Sequence, residues 1–323
     1  MIKAKKSRDW DAIKSKVHKK IMGSRERNGL LMSTVVYTLL ISIGFVYLYP
    51  LLHMLVTSFM QPHDLLDSSV RWIPSELHVG NYRNAMLTMD YWNSLWKNLQ
   101  IALFPTIFQV VVTSMAGYAF ARYNFPLKKL WLAVLIFSFV IPPQITMIPT
   151  FVFYNDLGII GSLRAFIIPA ALGQGFQSAI FILIFYNFHR QVPRSLIEAS
   201  EIDGAGHFSS FIRISMPLAV PAVIVTTLFS FVWYWNEVFL VNLFLGHGNT
   251  RADGLTTLLL ELQRFQTSFG QVFAGAGTVA PDPVNEALRM AGTMLAIAPL
   301  LVLYMVLQRQ FVQSVDKAGI TGE

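Results

Sequence analysis

The feature that most limits what this chain can become is a set of six long apolar runs, at about residues 30–59, 98–121, 130–153, 165–188, 217–239 and 287–307. Roughly 20 apolar residues in a helix cross the hydrocarbon core of a bilayer, where every backbone N–H and C=O must be satisfied internally. The runs therefore predict an all-α integral membrane protein with six transmembrane helices. Composition agrees, since 13% of the 323 residues are charged, against about 25% in a typical soluble domain. The chain has no cysteine, and so no disulfide framework, thiolate metal site or cysteine nucleophile.

The runs are not uniform. The first contains Pro50 and His53, and His53 is read as a helix-packing residue rather than a ligand. The second carries Pro105 and the small residues Ser114, Ala116, Gly117, Ala119 and Ala121, which would let a neighbouring helix approach closely. The third carries Pro142, Pro143 and Pro149, so it is kinked or broken. The fourth holds Gly173, Gln174, Gly175 and Gln177 at its middle, and the fifth ends in Trp233-Tyr234-Trp235-Asn236-Glu237. The polar segment 61–97 is rich in Trp and Tyr, as membrane–water boundaries are.

Six crossings put both termini on one side, and the basic residues say which. Residues 1–29 form a basic tail with ten Lys and Arg against three acids, which equals the whole net charge of +7. Such a tail suits anionic lipid headgroups better than nucleic acid. The tail, the 122–129 loop, the 189–216 loop and the C-terminal tail 308–323 hold eighteen of the 25 Lys and Arg. That asymmetry predicts cytoplasmic termini and a cytoplasmic 189–216 loop, with 243–286 outside, around a membrane domain over 30–307. The apolar run after Asn28 is longer than that of a cleaved signal peptide.

Motifs for chemistry are missing. There is no G-x-x-x-x-G-K-[S/T], H-E-x-x-H, C-x-x-C or G-x-S-x-G, and the seven histidines have no metal-ligand spacing. No catalytic, cofactor or metal site is expected. Only Glu237 and Arg289 approach membrane depth as charges, which argues against proton coupling. A proton-coupled secondary carrier of small polar solutes remains the alternative function, and a membrane enzyme acting on lipid would have only Glu237 to work with.

The stretch 193–217 stands apart. Pro193 suits a helix start, and Ser195 and Glu198 have capping-box spacing. Gly204 and Gly206 permit a break after Asp203, and Phe208, Phe211, Ile212 and Ile214 resume a helical apolar pattern up to Pro217. A short helix, a turn and a second helix are expected. Pattern alone leaves two readings open: a hairpin lying on the lipid surface, or a plug for a cleft on a cytoplasmic partner.

Glu198-Ala199-Ser200-Glu201-Ile202-Asp203-Gly204-Ala205, followed by Pro217-Leu218 and Pro221, closely resembles the EAA cytoplasmic loop of ABC importer permeases. The resemblance extends to Ala116–Arg122 with Phe125-Pro126, Ile141-Pro142-Pro143-Gln144 with Ile148-Pro149, and Leu157-Gly158-Ile159. Trp235-Asn236-Glu237, Gln308–Val312 and Ala318–Gly322 continue it. Together these are similar to the maltose-type sugar permeases, and to the second, G-type, permease of the pair. The resemblance implies the type I ABC importer permease fold in a prokaryotic cell membrane. It implies a heterodimer with a second permease, two ATPase subunits that bind ATP and Mg, and an extracytoplasmic solute-binding protein delivering sugar.

For this chain the resemblance implies that Glu198, Ala199, Ser200, Asp203, Gly204 and Ala205 dock in the ATPase, and that the C-terminal tail reaches the ATPase interface. Ser200 stands where the family usually has a second alanine. The loop near 273–284 is longer than usual, either as extra contact with the binding protein or as a loop without consequence. A translocation path would draw on Gln144, Gln174, Gln177, Tyr234 and Trp235, with Trp233 beside them. The glutamines serve equally as interhelical hydrogen-bond formers, and the aromatics as interfacial anchors.

Overall fold

The computed structural model describes residues 23–24, 27–246, 256–275 and 284–319, without side chains at 23–28, 274–275 and 310–319. The chain divides into two units, residues 1–78 and 79–323.

In the first unit, β1 (Gly23–Ser24) pairs antiparallel with β2 (Arg27–Asn28). Helix α1 (Leu30–Thr57) follows, 28 residues with mean hydropathy 2.0, or about 42 Å at 1.5 Å per residue. It is apolar on all sides and carries no charge, the signature of a lipid-embedded helix. His53 lies beside Tyr49 and Trp72, at ring distances of 6.3 and 6.0 Å, and serves as aromatic packing.

The polar segment after α1 is folded on itself. Helix α2 (Pro62–Leu66) starts with a capping box in which Gln61 N–H donates to Asp64. The same buried carboxylate accepts from the Ser75 hydroxyl and the Ser75 N–H, closing an eleven-residue loop. These donors, the Ser75 hydroxyl first, hold the Asp64 carboxyl below the usual carboxylate range. A depressed folded-state value gives stability that is present above the ordinary carboxylate pKa of about 3.9 and lost as pH falls through the folded value. Asp64→Asn is therefore expected to speed limited proteolysis within 61–78 at pH 7, and unchanged cutting would mean that the carboxylate does not hold this loop.

The second unit is built around α4 (Tyr91–Arg122), 32 residues long with Pro105 inside it. Before it lies α3 (Gly80–Thr88), and after it come α5 (Lys128–Val140) and α6 (Pro143–Asp156). Next are α7 (Arg164–Ala171) and α8 (Ser178–Gln191), then α9 (Arg194–Ile202) and α10 (His207–Ser210). A π-helical turn at Phe211–Ser215 and a single turn at Met216–Leu218 lead into α11 (Val220–Asn236) and α12 (Phe239–Leu245). Helices α13 (Leu258–Gln263), α14 (Phe265–Gly275) and α15 (Glu286–Gly319) complete the described chain. Helix α4 packs on α7, α8, α11 and α13, and α15 packs on α3, α11 and α13.

Three described helices are long and apolar enough to cross a membrane alone: Leu30–Thr57, Tyr91–Arg122 and Glu286–Arg309. The chain is thus a multi-pass membrane protein, but the remaining runs are not straight spans. The third run is broken at Ile141–Pro142, where α5 and α6 meet at 97°. The 13 residues of α5 reach only about 20 Å of a core about 30 Å thick. The fourth run is two helices separated at 172–177, with Gly173 and Gln177 at φ +74° and +59°. The fifth run starts at an 80° bend between the segment 207–218 and α11.

The expected outer loop 243–286 is also different in kind. Between the end of α12 and the start of α15 its described part forms α13 and α14, and Leu258, Leu260 and Phe265 are buried in the main core with Met89, Leu288 and Ala291. The hydrophobic side chains of this segment outweigh its polar average, because they recur at helical spacing. Most of the long stretch near 273–284 lies outside the described residues.

Close helix approach at the small-residue cluster is present where α4 meets α8. A Cβ on Gly117 would lie 2.5 Å from Phe185 Cβ and 2.8 Å from the Tyr186 nitrogen. Only glycine allows that separation.

Candidate coupling and translocation sites

The hairpin 193–218 emerges from the end of α8. The expected capping box is absent: α9 starts at Arg194 with Pro193 as its N-cap, and no side chain caps it. Ser195 therefore sits inside the first turn. The C-terminal end is the well-made one. Ala205 N–H donates to Ser200 C=O at 2.9 Å and Gly204 N–H to Glu201 C=O at 3.1 Å. Gly204 has φ +81°. These two bonds around a left-handed residue form a Schellman motif, which closes the last carbonyls of a helix and turns the chain sharply.

The turn presents a distinct surface. Glu198, Ala199, Glu201, Asp203 and Gly204 are exposed, as are the apolar Leu196, Ile202 and Phe208, with Ile202 86% exposed. Ser200 alone in α9 is buried, and its hydroxyl pairs with the Ser210 hydroxyl at 2.8 Å, tying the two arms together. His207 Nδ1 lies 3.6 Å from a Glu201 carboxylate oxygen across the same turn. At the root, the Arg122 guanidinium donates to Val192 C=O at 2.6 Å, linking the end of α4 to the start of the hairpin. An acidic rim thus surrounds exposed Leu, Ile and Phe side chains on a hydrogen-bonded turn.

The two broken runs face one cleft of about 470 Å³. Ser138, Thr146, Thr150, Tyr154, Gln174, Gln177 and Tyr234 supply its polar lining, and among the described residues no lining side chain is Asp, Glu, Lys, Arg or His. Of the residues expected on a translocation path, Gln174, Gln177 and Tyr234 come together here. Gln144 is exposed on α6 and does not line the cleft. Trp235 is buried in the core, its ring stacked 5.7 Å from Phe231. Trp233 stacks on Phe181 at 5.3 Å.

Gln109 is the polar residue that sequence reasoning missed, although it is the one amide in the middle of the second apolar run, Asn98 and Gln100 standing at its start. It is fully buried on α4, and its amide donates to Phe176 C=O at 2.6 Å and to the Ser178 hydroxyl at 2.9 Å. Its oxygen accepts from the Ser230 hydroxyl, which also pairs with Thr106 at 3.0 Å. From the other side, Tyr234 Oη accepts the Phe176 N–H at 3.0 Å. The break at 172–177 is thus pinned to α4 and α11, which satisfies backbone groups that lipid cannot. Gln109→Leu is expected to cost about 1–3 kcal/mol, the penalty for buried groups left unpaired. Thermal unfolding of the purified protein in detergent checks it, and an unchanged midpoint would mean the pin is dispensable.

Comparison with known proteins identifies the family. Residues 109–317 match the family described as binding-protein-dependent transport system inner membrane component. A permease for uptake of osmoprotective compounds from Synechocystis is 27% identical over 87% of this chain and 89% of its own length. An arabinooligosaccharide transport permease from Halalkalibacterium halodurans is 25% identical over 87% of this chain and 93% of its own. A polygalacturonan/rhamnogalacturonan transport permease from Bacillus subtilis is 24% identical over 90% and 99%. Among solved structures, a chain of a bacterial ABC transporter involved in import of the acidic polysaccharide alginate matches with TM-score 0.73 and 22% identity. That match covers 89% of this chain and 98% of the other, and it establishes the shared fold. With the family model spanning residues 109–317, the chain belongs to the binding-protein-dependent transport system inner membrane component family, as a non-catalytic permease subunit.

Proposed function

We propose that this permease is one half of the membrane pathway of an ATP-driven oligosaccharide importer in a prokaryotic cell membrane. It pairs with a second, related permease, rests on two ATP-binding subunits that hold ATP and Mg, and receives sugar from an extracytoplasmic solute-binding protein. The six apolar runs make six crossings, counting the broken ones, and both termini and the 193–218 hairpin are cytoplasmic, in keeping with the basic loops. The observation that carries the reading is the rigid, exposed hairpin, whose Schellman turn and apolar tip fit a partner cleft better than a lipid surface.

In this scheme Glu198, Ala199, Ser200, Asp203, Gly204 and Ala205 form the coupling element. Closure of the ATPases on ATP moves α9 as a lever and switches the spans between inward-facing and outward-facing states. Sugar passes along the cleft beside Gln174, Gln177 and Tyr234, whose amides and hydroxyl match the hydrogen bonding of sugar hydroxyls. Gln144 and Trp235 lie apart from the cleft, and for them a contribution depends on the second permease or on movement of α6 and α11. Relatives named for arabinooligosaccharides and for polygalacturonan/rhamnogalacturonan support a saccharide cargo.

The test is reconstitution of the permease pair with its ATPase and binding protein in proteoliposomes. Oligosaccharide uptake is expected only with ATP on the ATPase side. Uptake that follows a proton gradient and survives without ATP would replace this reading with a secondary carrier.

A further inference from the structure

The hairpin is fastened to the membrane domain by a set of contacts that its family pattern does not explain. His189, fully buried near the end of α8, has its Nδ1 2.7 Å from the buried Ser215 hydroxyl. Its ring is stacked on Phe185 at 6.0 Å and meets the edge of Tyr118 from α4 at 5.3 Å. Phe211 closes the cluster, 5.0 Å from Tyr118 and 5.9 Å from His189. The ends of α4, α8 and the returning arm therefore meet at one imidazole.

The π-helical turn at Phe211–Ser215 gives this cluster its register. Ser210 and Ser215 are five residues apart, which on an α-helix of 3.6 residues per turn puts them about 140° apart. Winding with i→i+5 bonds returns the second to nearly the face of the first. Ser210 bonds Ser200 of α9 at 2.8 Å, and Ser215 bonds His189 of α8 at 2.7 Å. The π turn thus sets where Ser215 stands relative to Ser210. Ser200, standing where the family usually has alanine, is the outer end of this line.

We propose that Ser200–Ser210 and Ser215–His189 are two bolts in series that make α9, the returning arm and the cytoplasmic ends of α4 and α8 move as one body. His189 is the positioning residue of the set. The proposal rests on the coupling function of the hairpin, and it names how displacement of α9 reaches the spans. A push on α9 with either bolt removed bends the turn at 203–206 instead of tilting α8.

The experiment uses the complete reconstituted transporter and reads sugar taken up per ATP hydrolysed, with retention of the ATPase on purification as a separate readout. Ser215→Ala removes one oxygen and keeps the aromatic packing. It is expected to lower sugar per ATP about fivefold, the equivalent of one hydrogen bond of about 1 kcal/mol, with the ATPase still bound. Ser210→Ala, which removes the other hydroxyl of the outer bolt and lies outside the coupling set, is expected to do the same, and the double variant to be no worse than either single one, because the bolts act in series. A wild-type ratio in Ser215→Ala, or single effects that multiply in the double variant, would overturn the proposal. Uptake and ATPase falling together through loss of the ATPase from the complex would overturn it too. Glu198→Lys serves as the control: if it also leaves sugar per ATP unchanged, the coupling function itself has failed rather than the bolts.

Discussion

Gly117→Val is expected to leave little assembled permease in the membrane. The first atom of any side chain at this position would meet Phe185 Cβ at 2.5 Å, the Tyr186 nitrogen at 2.8 Å and the Ile182 carbonyl at 2.9 Å. These are backbone and Cβ atoms, which no rotamer change can move aside. Overpacking usually costs about 1–3 kcal/mol, and here the only relief is separation of α4 from α8. That separation would also pull Tyr118 off His189 and Arg122 off Val192. Gly117→Ala should be milder than valine, giving a graded fall in yield and unfolding temperature. Wild-type yield and unfolding temperature for the valine variant would mean that α4 and α8 do not meet as described.

Gly204→Val is expected to act in the opposite manner, sparing assembly and abolishing coupling. A Cβ here meets nothing within 4 Å, so there is no clash. The cost is in the backbone, held at φ +81°, a conformation that a β-branched residue resists by about 1–2 kcal/mol or more. The turn would relax, and the 6→1 and 5→2 bonds that set the direction of α9 would be lost. Uptake should fall by about tenfold or more, since each 1.4 kcal/mol is a factor of ten, while the permease pair still purifies intact. Glu198→Lys reverses one charge of the exposed acidic rim and should uncouple in the same assay without changing the unfolding temperature. A valine variant that transports normally would show that the turn geometry does not carry the motion.

The contrast between these two glycines also marks what could be read in advance. The break after Asp203 and the close approach near Gly117 were legible, because glycine at a helix end or in a small-residue cluster has few other uses. The elbow at Pro142–Pro143 was legible as an interruption, whereas the fourth run read as one span and its break at 172–177 was not. The angle of the elbow was not legible either, since a proline run permits a kink or a right-angle turn alike. The capping box at Ser195 and Glu198 failed because Pro193 takes the N-cap place and starts the helix earlier.

Partnerships between distant residues were the illegible part. Gln109 reads as one polar residue in an apolar run, and only the fold brings Phe176, Ser178 and Ser230 to it. His189 and Ser215 are 26 residues apart, and a π turn, which no sequence spacing announces, is needed to align them. Residues 256–275 read as loop because their hydrophobic side chains are diluted by polar ones, yet Leu258, Leu260 and Phe265 are core residues.

On the proposed function, the 194–206 segment of the hairpin is where a partner ATPase pushes. The chain contains no cysteine, so Ala199→Cys, on the exposed face of α9, would be its only thiol. In the assembled complex, a short bifunctional reagent is expected to join this position to the ATPase subunit, with a yield that changes between the nucleotide-free and ATP-bound states. A complex that still transports sugar, yet gives no cross-link from cysteines at 198, 199 or 203 in either state, would contradict it.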